Sequence, residues 1–151
     1  PIYFLNLIKT EAEDASDVRT FDQFLLQPTD VDFKWRGDIH AREGNSSSNL
    51  RWSSGSATLR LYNLTKKPKW VDLRMELGTP TEPISKLEIK YNGVTEVLNL
   101  SQSRISYTKK LKLAPGVTEV EFISDAEPFQ NGDPRNIVFG IFDFKLTTLS
   151  K

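Results

Sequence analysis

From Ala57 onward the chain places an apolar side chain at every second position, and this period of two limits the fold more than any other feature. Ala57, Leu59 and Leu61 alternate with Thr58, Arg60 and Tyr62. After Lys66-Lys67-Pro68, the set Val71, Leu73, Met75 and Leu77 alternates with Asp72, Arg74 and Glu76. Neighbouring side chains on a strand point to opposite faces, so such runs are strands with one buried and one wet face.

The same grammar continues to the C-terminus. Leu87, Ile89 and Tyr91 lead into Asn92-Gly93 and then Val94–Leu100. Asn-Gly between two such runs marks a type I′ hairpin, because both central residues need positive φ. Ile105–Leu113 is a further strand, in which the slip of alternation at Lys109-Lys110 predicts a bulge or bend. Pro115-Gly116 is a turn, and Thr118–Ser124 follows with Val120 and Phe122 inward. The last strand, Ile137–Thr147, is the most apolar and is expected at the centre of a sheet. Val138, Phe142, Phe144 and Leu146 are expected on one of its faces with Gly140, and Ile137, Phe139 and Ile141 on the other.

Short strands are also read at about 32–36 and 49–53, flanking the loop Asn45-Ser46-Ser47-Ser48-Asn49. The expectation is an all-β domain: an antiparallel two-sheet β-sandwich, jelly-roll-like, of about eight strands. The βαβ alternation of a parallel sheet is missing. Residues 28–151 form the sandwich domain. Residues 1–27 form an irregular N-terminal extension or linker packing on it, with Phe21, Phe24, Leu25 and Leu26 as an apolar cluster. The chain opens on Pro1 rather than Met, as a segment of a longer protein would.

Composition removes several chemistries. There is no cysteine, hence no disulfide, thiolate metal site or thiol nucleophile. Twenty basic and 20 acidic residues cancel, so broad electrostatic capture of nucleic acid is not expected. The single histidine, His40, would have to serve any Ser-His-Asp triad, and no Gly-x-Ser-x-Gly elbow accompanies it. One histidine cannot anchor an ordinary zinc site. Calcium, which takes oxygen ligands, has candidates in Asp125, Glu127 and Asp133 of the 125–136 loop, although no Asp-x-Asp-x-Asp-Gly loop supports it. Asp38 and Glu43 lie near aromatics and are the pair a glycosidase would use. The expectation is no enzyme, no metal and no cofactor.

Binding chemistry is better represented. Trp35, Arg36, His40, Arg42, Glu43, Arg51 and Trp52 form the richest constellation. Sugars present flat C–H faces and hydroxyl rims, which indoles stack on and charged side chains bond. Trp35 and Trp52 are expected to be structural, as plugs of the core, with ligand contact as the alternative. Trp70 lies on the wet side of its strand beside Asp72, Arg74 and Glu76, so it can be a surface platform. Asp133 and Arg135, in Asp133-Pro134-Arg135-Asn136, are expected to pin the loop before the last strand.

Several stretches together carry a resemblance. They are Trp35-Arg36-Gly37, Glu43-Gly44, Arg51-Trp52, Tyr62-Asn63 and the hairpin from Lys86 to Gly93. Leu113-Ala114-Pro115-Gly116, Val120–Asp125, Asp133-Pro134-Arg135-Asn136 and Phe139–Phe144 complete the set. Over roughly residues 30–147 the chain resembles the soluble β-sandwich domain that follows the membrane spans in some bacterial polytopic glycosyltransferases and related envelope enzymes. Those domains are similar to carbohydrate-binding modules and face the periplasm or cell exterior. The resemblance implies a non-catalytic accessory domain, tethered to its own membrane domain, that holds a glycan or lipid-linked sugar. The ligand residues expected on the sequence are Trp70, Arg42, Glu43, His40 and Arg51. The alternatives are a protein-interaction sandwich without a glycan ligand and a small glycan hydrolase or lyase.

Overall fold

The computed structural model describes residues 30–44, 49–80, 84–127 and 137–149. The N-terminal extension and the Asp133–Arg135 pin lie outside the described residues.

Ten strands are present among the described residues, against about eight expected. They are β1 (Val31–Arg36), β2 (Glu43–Gly44), β3 (Asn49–Ser53), β4 (Ser56–Asn63), β5 (Lys69–Gly78), β6 (Ser85–Tyr91), β7 (Val94–Leu100), β8 (Ile105–Leu113), β9 (Gly116–Ser124) and β10 (Phe139–Leu149). β2 has only two residues, too few to show an alternation. The first sheet runs β1-β4-β9-β6-β7 and the second β2-β3-β10-β5-β8. Every pairing is antiparallel. The fold is therefore an antiparallel two-sheet β-sandwich.

The core lies between the sheets. Leu59, Leu61, Val120, Phe122, Leu87 and Ile89 come from the first, and Val71, Leu73, Leu77, Phe139, Ile141 and Leu113 from the second. Removing one such leucine to alanine costs about 2–5 kcal/mol in a packed interior. Trp35 is buried here, its ring 5.3 Å from Phe144 and 5.7 Å from Phe122. The β6–β7 hairpin turns through Asn92 at φ 48° and Gly93 at φ 76°, the geometry a type I′ turn requires.

Two local expectations are corrected. β8 pairs with β5 in one unbroken register, from Lys69 opposite Leu113 to Leu77 opposite Ile105, so there is no bulge at Lys109-Lys110. Lys109 instead takes an inward position at the sandwich edge, where Glu96 of β7 receives its ammonium at 3.1 Å. The bulge lies in β10, where the pairing with β5 shifts register between Phe142 and Lys145. Asp143 sits there at φ 52°. The extra residue reverses the alternation: Phe139 and Ile141 face the core before it, and Phe144 does so after it. Phe142 and Phe144, expected on one face, therefore point to opposite sides.

Candidate functional site

β10 is the middle strand of the second sheet, and the bulge decides what it shows to solvent. Before the bulge its outward residues are Gly140 and Phe142; after it comes Lys145. β5 shows Trp70, Asp72, Arg74, Glu76 and Gly78 on that side, because Val71, Leu73, Met75 and Leu77 fill the core. β8 adds Ser106, Thr108, Lys110 and Lys112 by the same parity.

An open groove of about 540 Å³ crosses this face. Asn49, Arg74, Met75, Glu76, Ser106, Thr108, Asp143 and Lys145 line it. Its size falls within the roughly 300–1,000 Å³ typical of ligand pockets. Of the eight lining residues, all but Met75 carry hydrogen-bonding side chains. The Asn49 backbone N–H donates to Asp143 Oδ1 at 3.1 Å, fixing the carboxylate at the bulge. Arg74 Nε donates to Asp72 Oδ2 at 2.7 Å, and Asp72 itself is buried beside it. This leaves the outer nitrogens of a well-exposed guanidinium over the groove.

Outside the groove's lining, on the same sheet face, lies an aromatic pair. Gly140 pairs with Gly78 on β5 and with Trp52 on β3. A Cβ at Gly140 would sit 2.9 Å from both the Phe142 and the Trp52 rings, so only glycine lets them lie against the strand. The two rings meet edge to face at 5.7 Å. The Arg104 guanidinium lies 3.8 Å above the Phe142 ring and its Nη1 is 3.6 Å from Glu76 Oε1. Trp70 stands at the far end of β5, 48% exposed. From Trp70 to Gly78 the strand runs about 26 Å.

The five ligand residues expected on the sequence do not form one site. Trp70 shares the groove's sheet face. Arg42 and Arg51 meet Trp35, Asn49 and Phe144 in a crevice of about 20 Å³ at the opposite edge, where β1 faces β3. That volume holds about one water and no sugar ring. Glu43 is exposed on β2, paired through its backbone with Leu50. His40 is half-buried; its Nε2 and Ser54 Oγ are 2.9 Å apart. Its backbone carbonyl accepts from Arg51 Nη1 at 3.2 Å.

No carboxylate completes a triad there among the described residues: Asp38 Oδ2 accepts from Ser56 Oγ at 3.4 Å. Neither the groove nor the crevice is lined by His40, Ser54 or Asp38. Asp125 Oδ1 accepts the Lys86 backbone N–H at 2.9 Å, and Asp125 and Glu127 are both exposed. No cluster of three metal-ligating side chains occurs among the described residues.

Trp52 is a correction. It was expected in the core and is instead half-buried on the outer face, opposite Gly140. Ser53 takes the inward position, its Oγ donating to the Ser56 carbonyl at 2.7 Å. Sequence reasoning also missed Asp143, Lys145, Thr108 and Ser106. The change of parity from Phe139 and Ile141 to Phe144 and Leu146 was the available signal for the first two.

No family model matches the chain, and no curated protein matches it. Solved structures do. The CBM22-1 xylan-binding domain of Paenibacillus barcinonensis Xyn10C is 10% identical, with 79% of this chain and 86% of that one covered at a TM-score of 0.47. A CBM4 domain is 9% identical over 78% of this chain and 87% of that one, at 0.43. The mosquito-larvicidal Cry4Aa toxin of Bacillus thuringiensis is 8% identical over 72% of this chain and 22% of that one, at 0.44.

Proposed function

We propose that this domain is a non-catalytic saccharide-binding module and that the outer face of the second sheet is its binding surface. The observation that carries the reading is the groove of about 540 Å³, walled by Arg74, Glu76, Ser106, Thr108, Asp143 and Lys145, with the half-buried Trp52 ring on the same sheet face. A saccharide needs many donors and acceptors at modest depth, with an aromatic ring for a C–H face. Charged groups in such a site make the stronger hydrogen bonds.

The finer reading rests on the sequence resemblance. In it the sandwich is an accessory domain of a bacterial membrane-anchored glycosyltransferase, on the periplasmic or outer side of the envelope. It would hold a glycan or lipid-linked sugar beside its own membrane domain.

Titration of the labelled protein with soluble saccharides, followed by amide and indole shifts, tests the binding claim. Shifts are expected at Glu76, Thr108, Asp143, Lys145 and the Trp52 indole. A broad panel that moves none of them removes the reading. A second reading, docking on a protein partner, is favoured by the exposed Val97 beside Ile123 on the outer face of the first sheet. Line broadening confined to that face on adding the parent membrane domain would support it.

A further inference from the structure

The bulge in β10 sets a carboxylate and an ammonium side by side in the groove. Asp143 and Lys145 flank Phe144, which turns into the core. The other two charges of the groove each have an ion partner outside its lining: Arg74 with Asp72 at 2.7 Å and Glu76 with Arg104 at 3.6 Å. Asp143 and Lys145 take part in no ion pair among the described residues.

Asp143 also holds a positive φ, which is uncommon outside glycine and is tolerated best by Asn and Asp. Bulges recur where a side chain is re-aimed at a site. One Asp143 oxygen is occupied by the Asn49 N–H, which leaves the carboxylate able to accept from a ligand. Lys145 can only donate.

We propose that Asp143 is the specificity-determining residue of the groove and that the ligand is an uncharged polysaccharide. This deepens the saccharide reading and rests on it. A hydroxyl both donates and accepts, so adjacent hydroxyls of a neutral sugar satisfy Asp143 and Lys145 together. A uronate would gain at Lys145 and be repelled by Asp143 at the next position. An amino sugar would gain at Asp143 and be repelled by Lys145.

Affinity electrophoresis in gels containing soluble xylan, mannan, mixed-linkage glucan or polygalacturonate tests this. Asp143→Asn and Asp143→Gly both suit the left-handed backbone, so the bulge survives while the carboxylate is lost. The wild type is expected to be retarded by at least one neutral polymer and not by polygalacturonate. Both variants should bind that polymer about tenfold or more weakly, since hydrogen bonds to charged groups are the stronger kind. The thermal midpoint of Asp143→Asn should be unchanged, because its amide oxygen can still accept the Asn49 N–H.

Retardation of the wild type with undiminished binding by Asp143→Asn overturns the assignment of Asp143. So does retardation by polygalacturonate as strong as by any neutral polymer. A wild type retarded by none of the four gels removes the saccharide reading and this one with it.

Discussion

Two carboxylates in this sandwich have opposite fates. Glu96, on β7, sits where the edge strands of the two sheets meet. Its Oε1 accepts from Tyr91 Oη at 2.7 Å, Tyr107 Oη at 2.9 Å and Lys109 Nζ at 3.1 Å. Asp143, on the bulge of β10, accepts one backbone N–H and otherwise faces the groove. The first carboxylate gathers three donors on one oxygen and fastens β7 to β8 across the open side of the sandwich. The second is held in place and left with capacity. A charged group that stabilises the fold is one the chain has already satisfied, and one that serves a ligand is positioned but unsatisfied.

The ionisation of these groups follows the same division. Burial pushes Glu96 up, but the hydrogen bonds from Tyr91, Tyr107 and Lys109 outweigh it and hold the carboxyl below its ordinary value. Burial first, and the bond to Glu96 second, push the Tyr107 hydroxyl well above the usual phenol range. The bond to Glu96 leads the causes that raise Lys109.

The largest effect should follow from emptying the clasp. Glu96→Ala leaves the Tyr107 hydroxyl without its acceptor on a residue only 6% exposed. The expected loss is about 2 kcal/mol in urea unfolding, the cost of stranding a buried polar group. Asp143→Asn, at a position that spends little on the fold, should stay within about 0.5 kcal/mol. Equal losses in the two variants would erase the distinction between the carboxylates.

Acid sharpens the same contrast. A carboxyl whose folded pKa is depressed contributes stability above its unfolded value and loses it as pH falls through the folded one. The Glu96 contribution should therefore decline from about pH 4.3 downward. Glu96→Gln, with no charge to lose, should show a shallower fall over that range. Parallel slopes for the two proteins would mean that the clasp does not titrate as its geometry requires.

Gly140→Ala comes next. The added Cβ would meet both rings at 2.9 Å, where Trp52 is half-buried and Phe142 is buried beneath Arg104. The rings must shift to make room, so the expected cost is about 1–3 kcal/mol, the range for overpacking. The Trp52 indole resonance should move. An unmoved indole would show that Gly140 does not seat it.

The period-two pattern made the sandwich legible, because it follows from strand geometry alone. The middles of β5 and β9 carry it cleanly, and Asn92-Gly93 announced its own turn. The site was much less legible, and the reasons differ by residue. Leu50 and Trp52 share a parity with each other and look like the core face of β3. Two glycines, Gly78 and Gly140, make the outside roomy enough to receive the indole instead. Lys109 broke the pattern of β8 and read as a bulge, because its partner Glu96 comes from another strand of the other sheet. The bulge in β10 was written in the parity of four apolar residues but was masked by the apolar Phe142 between them. Arg42, Arg51 and Trp35 do gather in space, yet around a space too small for a sugar.

The smallest effect on the fold is expected at Trp70, and it bears on how far the ligand-facing region extends. Trp70 is exposed, opposite Lys112 on β8 and Leu149 on β10, about 26 Å along β5 from the row of Trp52. Trp70→Ala removes a surface ring, so stability should change by no more than about 0.5 kcal/mol. Its effect on binding should depend on ligand length. A short oligosaccharide filling the groove beside Asp143 cannot reach Trp70, and its affinity should not change. A long polymer of the same sugar spans both ends of the face and should bind about three- to tenfold more weakly, as the loss of one aromatic contact implies. Equal weakening for short and long ligands would place Trp70 inside the groove's own contact zone. No weakening for either would end the surface at Lys145 and leave Trp70 as an isolated exposed ring.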